Sequence, residues 1–282
     1  MPIILSTVPF VQPAKEQGGI SALDLAKVNE ALSLYIRPHT YPLAVKMCQS
    51  ADELPDKVRL PQRDLGTPIT LCQGIGLARR YRWTIAIGKE DQSCPHAAFV
   101  LGFVPGKGYL DGSCAEVVGL GPKERFAAIA QNVSRFEYGK YSHALIAPIE
   151  MANFDPDAII VYGDPAQVAR LVQGAVAIKG GVLNSPTGGG IACSGLIARA
   201  MLTDECQFIL AGAGDRYFAL TQDHELAFSI PASKVELTIQ GLEMGHKSGL
   251  HRYPTPSFLR LEKGLPPVYY KWLDLLKKEG PA

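Results

Sequence analysis

The sequence predicts an α/β protein built from two related halves, and three observations carry that prediction. A short phrase recurs, as Cys72-Gln-Gly-Ile-Gly-Leu-Ala-Arg79 and as Cys193-Ser-Gly-Leu-Ile-Ala-Arg199. Each copy lies between two apolar runs of strand character, residues 43–47 and 83–87 in the first case, 158–162 and 206–210 in the second. A helix opened by proline closes each series, at Pro122 and at Pro231. Strands that alternate with helical patterns predict layered α/β architecture. The expected arrangement is mixed sheets with flanking helices, the halves related by a pseudo-two-fold that brings Cys72 and Cys193 near one axis. The expected divisions are an N-terminal arm at 1–20, a first half at 21–140, a second half at 141–245 and a tail at 246–282.

The elements follow in order. Ser21 can cap a helix over residues 22–36, in which Leu25, Val28, Leu32 and Tyr35 recur at helical spacing, and Pro38 stops it. A strand at 43–47 leads through a proline-bearing connection to the Cys72 helix and the strand at 83–87. Residues 88–121 are loop-rich and carry Cys94-Pro-His96 and Cys114. A helix at 123–133 follows Pro122, then strands at 144–147 and 158–162. Asp164-Pro165 starts a helix that ends near Gly180-Gly181. After the Cys193 helix and the strand at 206–210, Gly212-Ala-Gly-Asp-Arg216 reads as a turn. A short apolar run at 226–230 precedes a helix from Pro231 through Leu242. Residues 245–268 read as an extended tail, and residues 272–276 as one or two helical turns docked on the body.

Composition excludes several classes. The 282 residues carry a net charge of +1, which gives no bulk attraction to nucleic acid or to an acidic membrane. No run approaches the ~18 apolar residues of a membrane span. The N-terminal segment lacks the basic start and apolar core of a signal peptide, so a reducing cytoplasm is the expected compartment. Six cysteines in a chain of this length are not a disulfide scaffold. Nucleotide motifs fail as well. Gly74-Ile-Gly lacks a third glycine at dinucleotide spacing, and Gly188, Gly189 and Gly190 are not followed by Gly-Lys-Ser/Thr.

Cys72, Cys94 and Cys193 form the chemical constellation. Each lies at or near a loop bearing glycine or proline, where chain segments converge on an inorganic centre more easily than regular elements do. Cys193 follows Gly188–Gly190 and opens a helix, whose N-terminus favours thiolate. Iron–sulfur clusters are held by such thiolates and tuned by nearby amides. Two alternatives stand beside the cluster: buried thiols acting as small hydrophobes, and zinc using Cys94 with His96. Cys48, Cys114 and Cys206 read as structural. Arg79, Arg199 and Arg216 can clamp a small anion, with the Gly188–Gly190 amides as further donors. Glu150 and Asp215 are the candidates for proton transfer.

The order of landmarks resembles the domain of unknown function 169 family of archaea and anaerobic bacteria. The residues that carry the resemblance are Leu43-Ala-Val-Lys46, Cys72 with Ala78-Arg79, Cys94, Ala147-Pro-Ile-Glu150, Asp157-Ala-Ile-Ile-Val161, Asp164-Pro-Ala-Gln167, Cys193 and Gly214-Asp-Arg216. The family's name records that its biochemistry is unsettled. The resemblance implies a cysteine just ahead of Gly-Asp-Arg, where this chain has Gly212-Ala213.

These observations converge on one expectation: a 4Fe–4S protein that acts on a small anionic molecule. Three cysteine ligands would leave one iron open, which points to a lyase or hydratase. The alternatives are an electron-transfer protein serving a redox partner, and a cluster-free module that binds small anions. No nucleic-acid or membrane partner is expected.

Overall fold

The computed structural model describes residues 23–119, 121–185, 192–249, 251–254 and 265–278. The predicted arm, Ser21 and the glycines Gly188, Gly189 and Gly190 lie outside the described residues. Asp24 caps α1 (Leu25–Tyr35), its carboxylate accepting from the Lys27 amide at 3.2 Å.

Six strands form one antiparallel sheet in the order β2-β3-β1-β4-β6-β5. They are β1 (Leu43–Cys48), β2 (Ile85–Gly88), β3 (His143–Pro148), β4 (Ala158–Gly163), β5 (Gln207–Leu210) and β6 (Leu226–Pro231). The order of the first three strands is repeated by the last three, and so is the register. Leu43 opposes Pro148 in the first set, and Ala158 opposes Pro231 in the second. Ile85 opposes Ile146, and Gln207 opposes Ser229. Even the flanking bonds recur: the Ile149 amide donates to the Pro42 carbonyl and the Ala232 amide to the Asp157 carbonyl, each at 2.9 Å. The two sets meet where β1 pairs with β4. A two-fold normal to the sheet reverses strand direction there, which makes that pairing antiparallel.

Within each set the first and second strands run parallel, with the third inserted between them. This is a split βαβ unit, and the crossover helix is the one that carries the Cys-x-Gly phrase. In the first set that helix is α3 (Leu71–Tyr81). In the second, a π-helix (Cys193–Arg199) runs into α9 (Ala200–Thr203). The shared phrase has a packing reason. A Cβ at Gly74 would meet Ile87 of β2 at 2.5 Å, and one at Gly195 would meet Ile209 of β5 at 2.5 Å. Both glycines let their helices seat on equivalent strand residues, so larger side chains are excluded at the same place in both copies.

Helices cover both faces of the sheet. Leu43, Val45, Met47, Ile85, Ile87, Ile146, Ile160 and Tyr162 face α3, α4 (Pro95–Val100) and the π-helix. Ala44, Ile159, Val161, Phe228 and Ile230 face α1, α8 (Pro165–Ala177) and α11 (Ala232–Ser248). α8 and α11 touch through glycine: a Cβ on Gly241 would lie 2.0 Å from the Gly174 carbonyl.

Four readings change. Residues 88–121 hold short helices, namely α4, α5 (Lys107–Leu110) and α6 (Ala115–Val118), ahead of α7 (Lys123–Gln131), while α2 (Pro61–Asp64) precedes Cys72. The match of Pro122 with Pro231 does not hold, because α7 precedes β3 whereas α11 follows β6. The proline equivalent to Pro231 is Pro148, the last residue of β3. Gly212–Arg216 is no turn: α10 (Ala213–Phe218) starts there, with Gly212 as its N-cap. The last helix, α12 (Pro267–Lys278), is longer than expected and has no buried residue, so it is not docked on the body.

Candidate functional site: three thiols around a buried carboxylate

The sheet face that carries α3 and the π-helix also carries the three predicted cysteines. Cys72 is the second residue of α3, whose start is fixed by a capping box: the Gln73 amide donates to Thr70 Oγ1 at 3.1 Å, and the Thr70 amide donates to Gln73 Oε1 at 2.8 Å. Cys94 is the N-cap of α4, its amide held by Gln92 Oε1 at 2.9 Å. Cys193 opens the π-helix, a rare geometry that is frequent at functional sites. The backbone of α10 passes alongside, so that a Cβ on Gly214 would lie 3.5 Å from the Cys72 sulfur.

The groups act on one another. Burial pushes the Cys72 thiol well up, and the Asp215 carboxylate, Cys193 and Cys94 push it further. Burial does the same at Cys193, with Cys94 adding to it, while the amides of Ser194 and Cys193 pull the other way. The helix start does favour thiolate at Cys193, as the sequence suggested, but desolvation outweighs it, and the thiol is neutral.

Asp215 completes the constellation. It is 1% exposed. Burial raises its carboxyl, opposed by the Tyr162 hydroxyl, the Arg79 charge and the Gly212 amide. Tyr162 donates to Asp215 Oδ1 at 3.2 Å, and Asp215 Oδ2 has no hydrogen-bond partner. Tyr109 of α5 interacts with Cys94, Cys114 and Cys193, stacks on Phe99 at 4.9 Å and meets His96 edge-on. Burial lowers the His96 pKa, so this imidazole is neutral, with Nε2 unpartnered. Among the described residues no three His, Cys, Asp or Glu side chains stand close enough to hold a metal ion, which applies to the three cysteines of the expected cluster as much as to Cys94 with His96.

The predicted arginines have separate environments. Arg79 is fully buried and clamps an internal carboxylate: Nη1 meets Glu225 Oε1 at 2.7 Å, and Nη2 meets Glu225 Oε2 at 3.1 Å and Thr221 Oγ1 at 3.0 Å. Its guanidinium also stacks on Tyr162, 4.2 Å from the ring centroid. Arg216 pairs with exposed Asp223 at 2.7 Å. Arg199 keeps a buried Nε without a partner. Glu150 is exposed, pairs with Arg82 at 2.8 Å, and lines a cavity of about 450 Å³ with His39, Thr40, Tyr41, Arg79 and Arg80. Of the two predicted proton-transfer groups, the structure therefore seats only Asp215 beside Cys72. Tyr162, Glu225 and Tyr109 had no signal of their own: one ends an apolar strand, and the other two lie in irregular sequence.

A family model designated DUF169 and described as "Uncharacterised ArCR" matches residues 31–241. The chain belongs to this family. The DUF169 match runs from α1 into α11 and so contains both strand sets and all three cysteines, but not α12. The "Uncharacterized protein MJ0308" of Methanocaldococcus jannaschii is 23% identical over 205 residues, which cover 71% of this chain and 86% of that protein. No solved structure matches the chain.

Proposed function

We propose that this DUF169 protein holds a 4Fe–4S cluster through Cys72, Cys94 and Cys193 and acts on a small anionic molecule, in the manner of a lyase or hydratase. The observation that supports the reading is that Cys72, Cys94 and Cys193, from three separate elements on one sheet face, act on one another, with Asp215 acting on Cys72 and Cys193 and keeping one oxygen without a partner. The thiols would have to draw closer to bind a centre, since among the described residues no metal-holding group is formed. Each thiolate there would repel the others and Asp215, so ionising the set inside the protein costs free energy that a positively charged centre offsets. Metal uptake is then coupled to proton release from Cys72 and Cys193.

The fit is chemical: thiolates are the standard ligands of such clusters, and the amides of Cys193 and Ser194 point at a ligating sulfur. When bound, a cluster with three protein ligands supplies a Lewis-acidic iron. Asp215 is placed to hold or move a proton at its free Oδ2, because burial keeps its carboxyl above the ordinary range. The Tyr162 hydroxyl fixes the other oxygen. Arg199, at the far end of the Cys193 helix, has a buried Nε available for the anion.

A second reading, electron transfer to a partner protein, is favoured by Cys114. It interacts with the same Tyr109 phenol as Cys94 and Cys193, and a fourth thiolate would close the open iron. The test is anaerobic purification with iron and acid-labile sulfide quantified. The expected result is brown protein with about four of each per chain. Colourless, iron-free protein from a preparation that loads a control cluster protein rejects both readings. A Cys114→Ser variant that keeps its iron favours the three-cysteine site.

A further inference from the structure

The helix α12 lies outside the matched family region and has no buried residue. Trp272 is 54% exposed, Leu275 61% and Leu276 50%. At the 3.6-residue period its side chains fall on two arcs. Val268, Tyr269, Trp272, Leu273, Leu275 and Leu276 occupy one, and Lys271, Asp274, Lys277 and Lys278 the other, with the amphipathic ring of Tyr270 among them. Three lysines against one aspartate give the helix more positive charge than the whole chain, which carries +1. The bulk charge therefore conceals a local basic surface.

We propose that α12 lies on an anionic lipid surface, its apolar arc in the headgroup boundary and its lysines against lipid phosphates. A basic polar face opposite leucine and tryptophan is the pattern of an interfacial helix. Tryptophan and tyrosine favour that boundary because one end of each ring system is apolar and the other wet. Twelve residues span about 18 Å, too short to cross a hydrocarbon core of about 30 Å but sufficient to lie in its surface. A second copy is a poorer occupant. One face of such a helix offers about 200 Å², against about 800 Å² per partner in a stable interface.

The full chain is tested by co-sedimentation with vesicles of mixed phosphatidylglycerol and phosphatidylcholine, and with vesicles of phosphatidylcholine alone. Binding to the anionic vesicles is expected to be at least about tenfold tighter and to weaken with salt. Lys277→Gln and Lys278→Gln are each expected to weaken it about fivefold. Leu276→Glu should abolish it while leaving the thermal unfolding of the body unchanged, since α12 buries nothing there. No sedimentation with either vesicle, equal binding to both, or wild-type binding by Leu276→Glu overturns the proposal. A dimer in light scattering that Leu276→Glu dissolves, without vesicle binding, assigns the face to a second copy.

Discussion

The Tyr162 hydroxyl reaches Asp215 Oδ1 at 3.2 Å while the same ring lies under the Arg79 guanidinium, 4.2 Å from its centroid. One tyrosine thus joins the carboxylate beside Cys72 to a fully buried ion pair that reaches into the segment around Thr221 and Glu225. Arg79 also comes from the helix that carries Cys72, so the ion pair and the thiol are positioned together.

Asp215→Asn should stabilise the metal-free protein. Burial raises the Asp215 carboxyl above its ordinary value of about 3.9. Between that value and the raised one, the folded state binds more protons than the unfolded state. Stability therefore falls as pH rises through this window and stays lower above it. The asparagine variant lacks that loss. Its Tm should exceed wild type at about pH 7.5, by about 2–4 °C for each kcal/mol relieved, and converge with wild type near about pH 4. A scan of Tm against pH checks this, and a lower Tm for the variant at neutral pH contradicts it.

Cys193→Ser should cost the protein its proposed centre, whereas Cys206→Ser should not. Cys193 interacts with Cys72 and Cys94 on one sheet face, while Cys206 packs in the apolar cluster on the opposite sheet face, its thiol pushed up to about 11 chiefly by burial. Serine is a poor iron ligand at neutral pH. Iron should fall from about four to below about one per chain in the first variant and stay near four in the second. Equal loading of Cys193→Ser and wild type would remove Cys193 from the site.

Arg79→Ala should destabilise the fold by about 3 kcal/mol, the low end for a broken buried pair, because Glu225 loses its two-point partner and keeps only Arg80 at 2.9 Å and the Gln222 amide at 2.7 Å. Burial pushes the Glu225 carboxyl up, but bonds from Arg79 and the Gln222 amide overrule it and hold it below the ordinary range. That contribution is present above the unfolded pKa of about 4.3 and is lost as pH falls through the folded value. Glu225→Gln should therefore flatten the acid limb of the stability profile in chemical denaturation. The double variant Arg79→Met, Glu225→Leu should recover part of the loss, as apolar replacements of buried pairs do.

Gly241→Ala tests the opposite face. A methyl group would lie 2.0 Å from the Gly174 carbonyl, so α8 and α11 must separate. The expected cost is about 1–3 kcal/mol, read as a lower denaturation midpoint. Iron per folded chain should stay unchanged, because the thiols lie across the sheet.

The local sequence by itself determined the strands, most helices and the doubled Cys-x-Gly phrase. Each is written in short-range terms: apolar periodicity, caps and glycines where two elements touch. Gly74 and Gly195 show this directly, since both are small for the same contact, against Ile87 and Ile209. Only the tertiary structure decided that the two strand sets share one sheet, because the β1–β4 pairing joins residues more than a hundred positions apart. It also showed Gly212–Arg216 as a helix start, on which Asp215 meets Tyr162 in the interior. Arg79 is the clearest case. From its sequence it could serve an external anion, but a carboxylate 146 positions away meets it in the interior. No local pattern encodes that partner, because a buried charge is matched by whatever the completed fold brings against it, and burial makes the match obligatory.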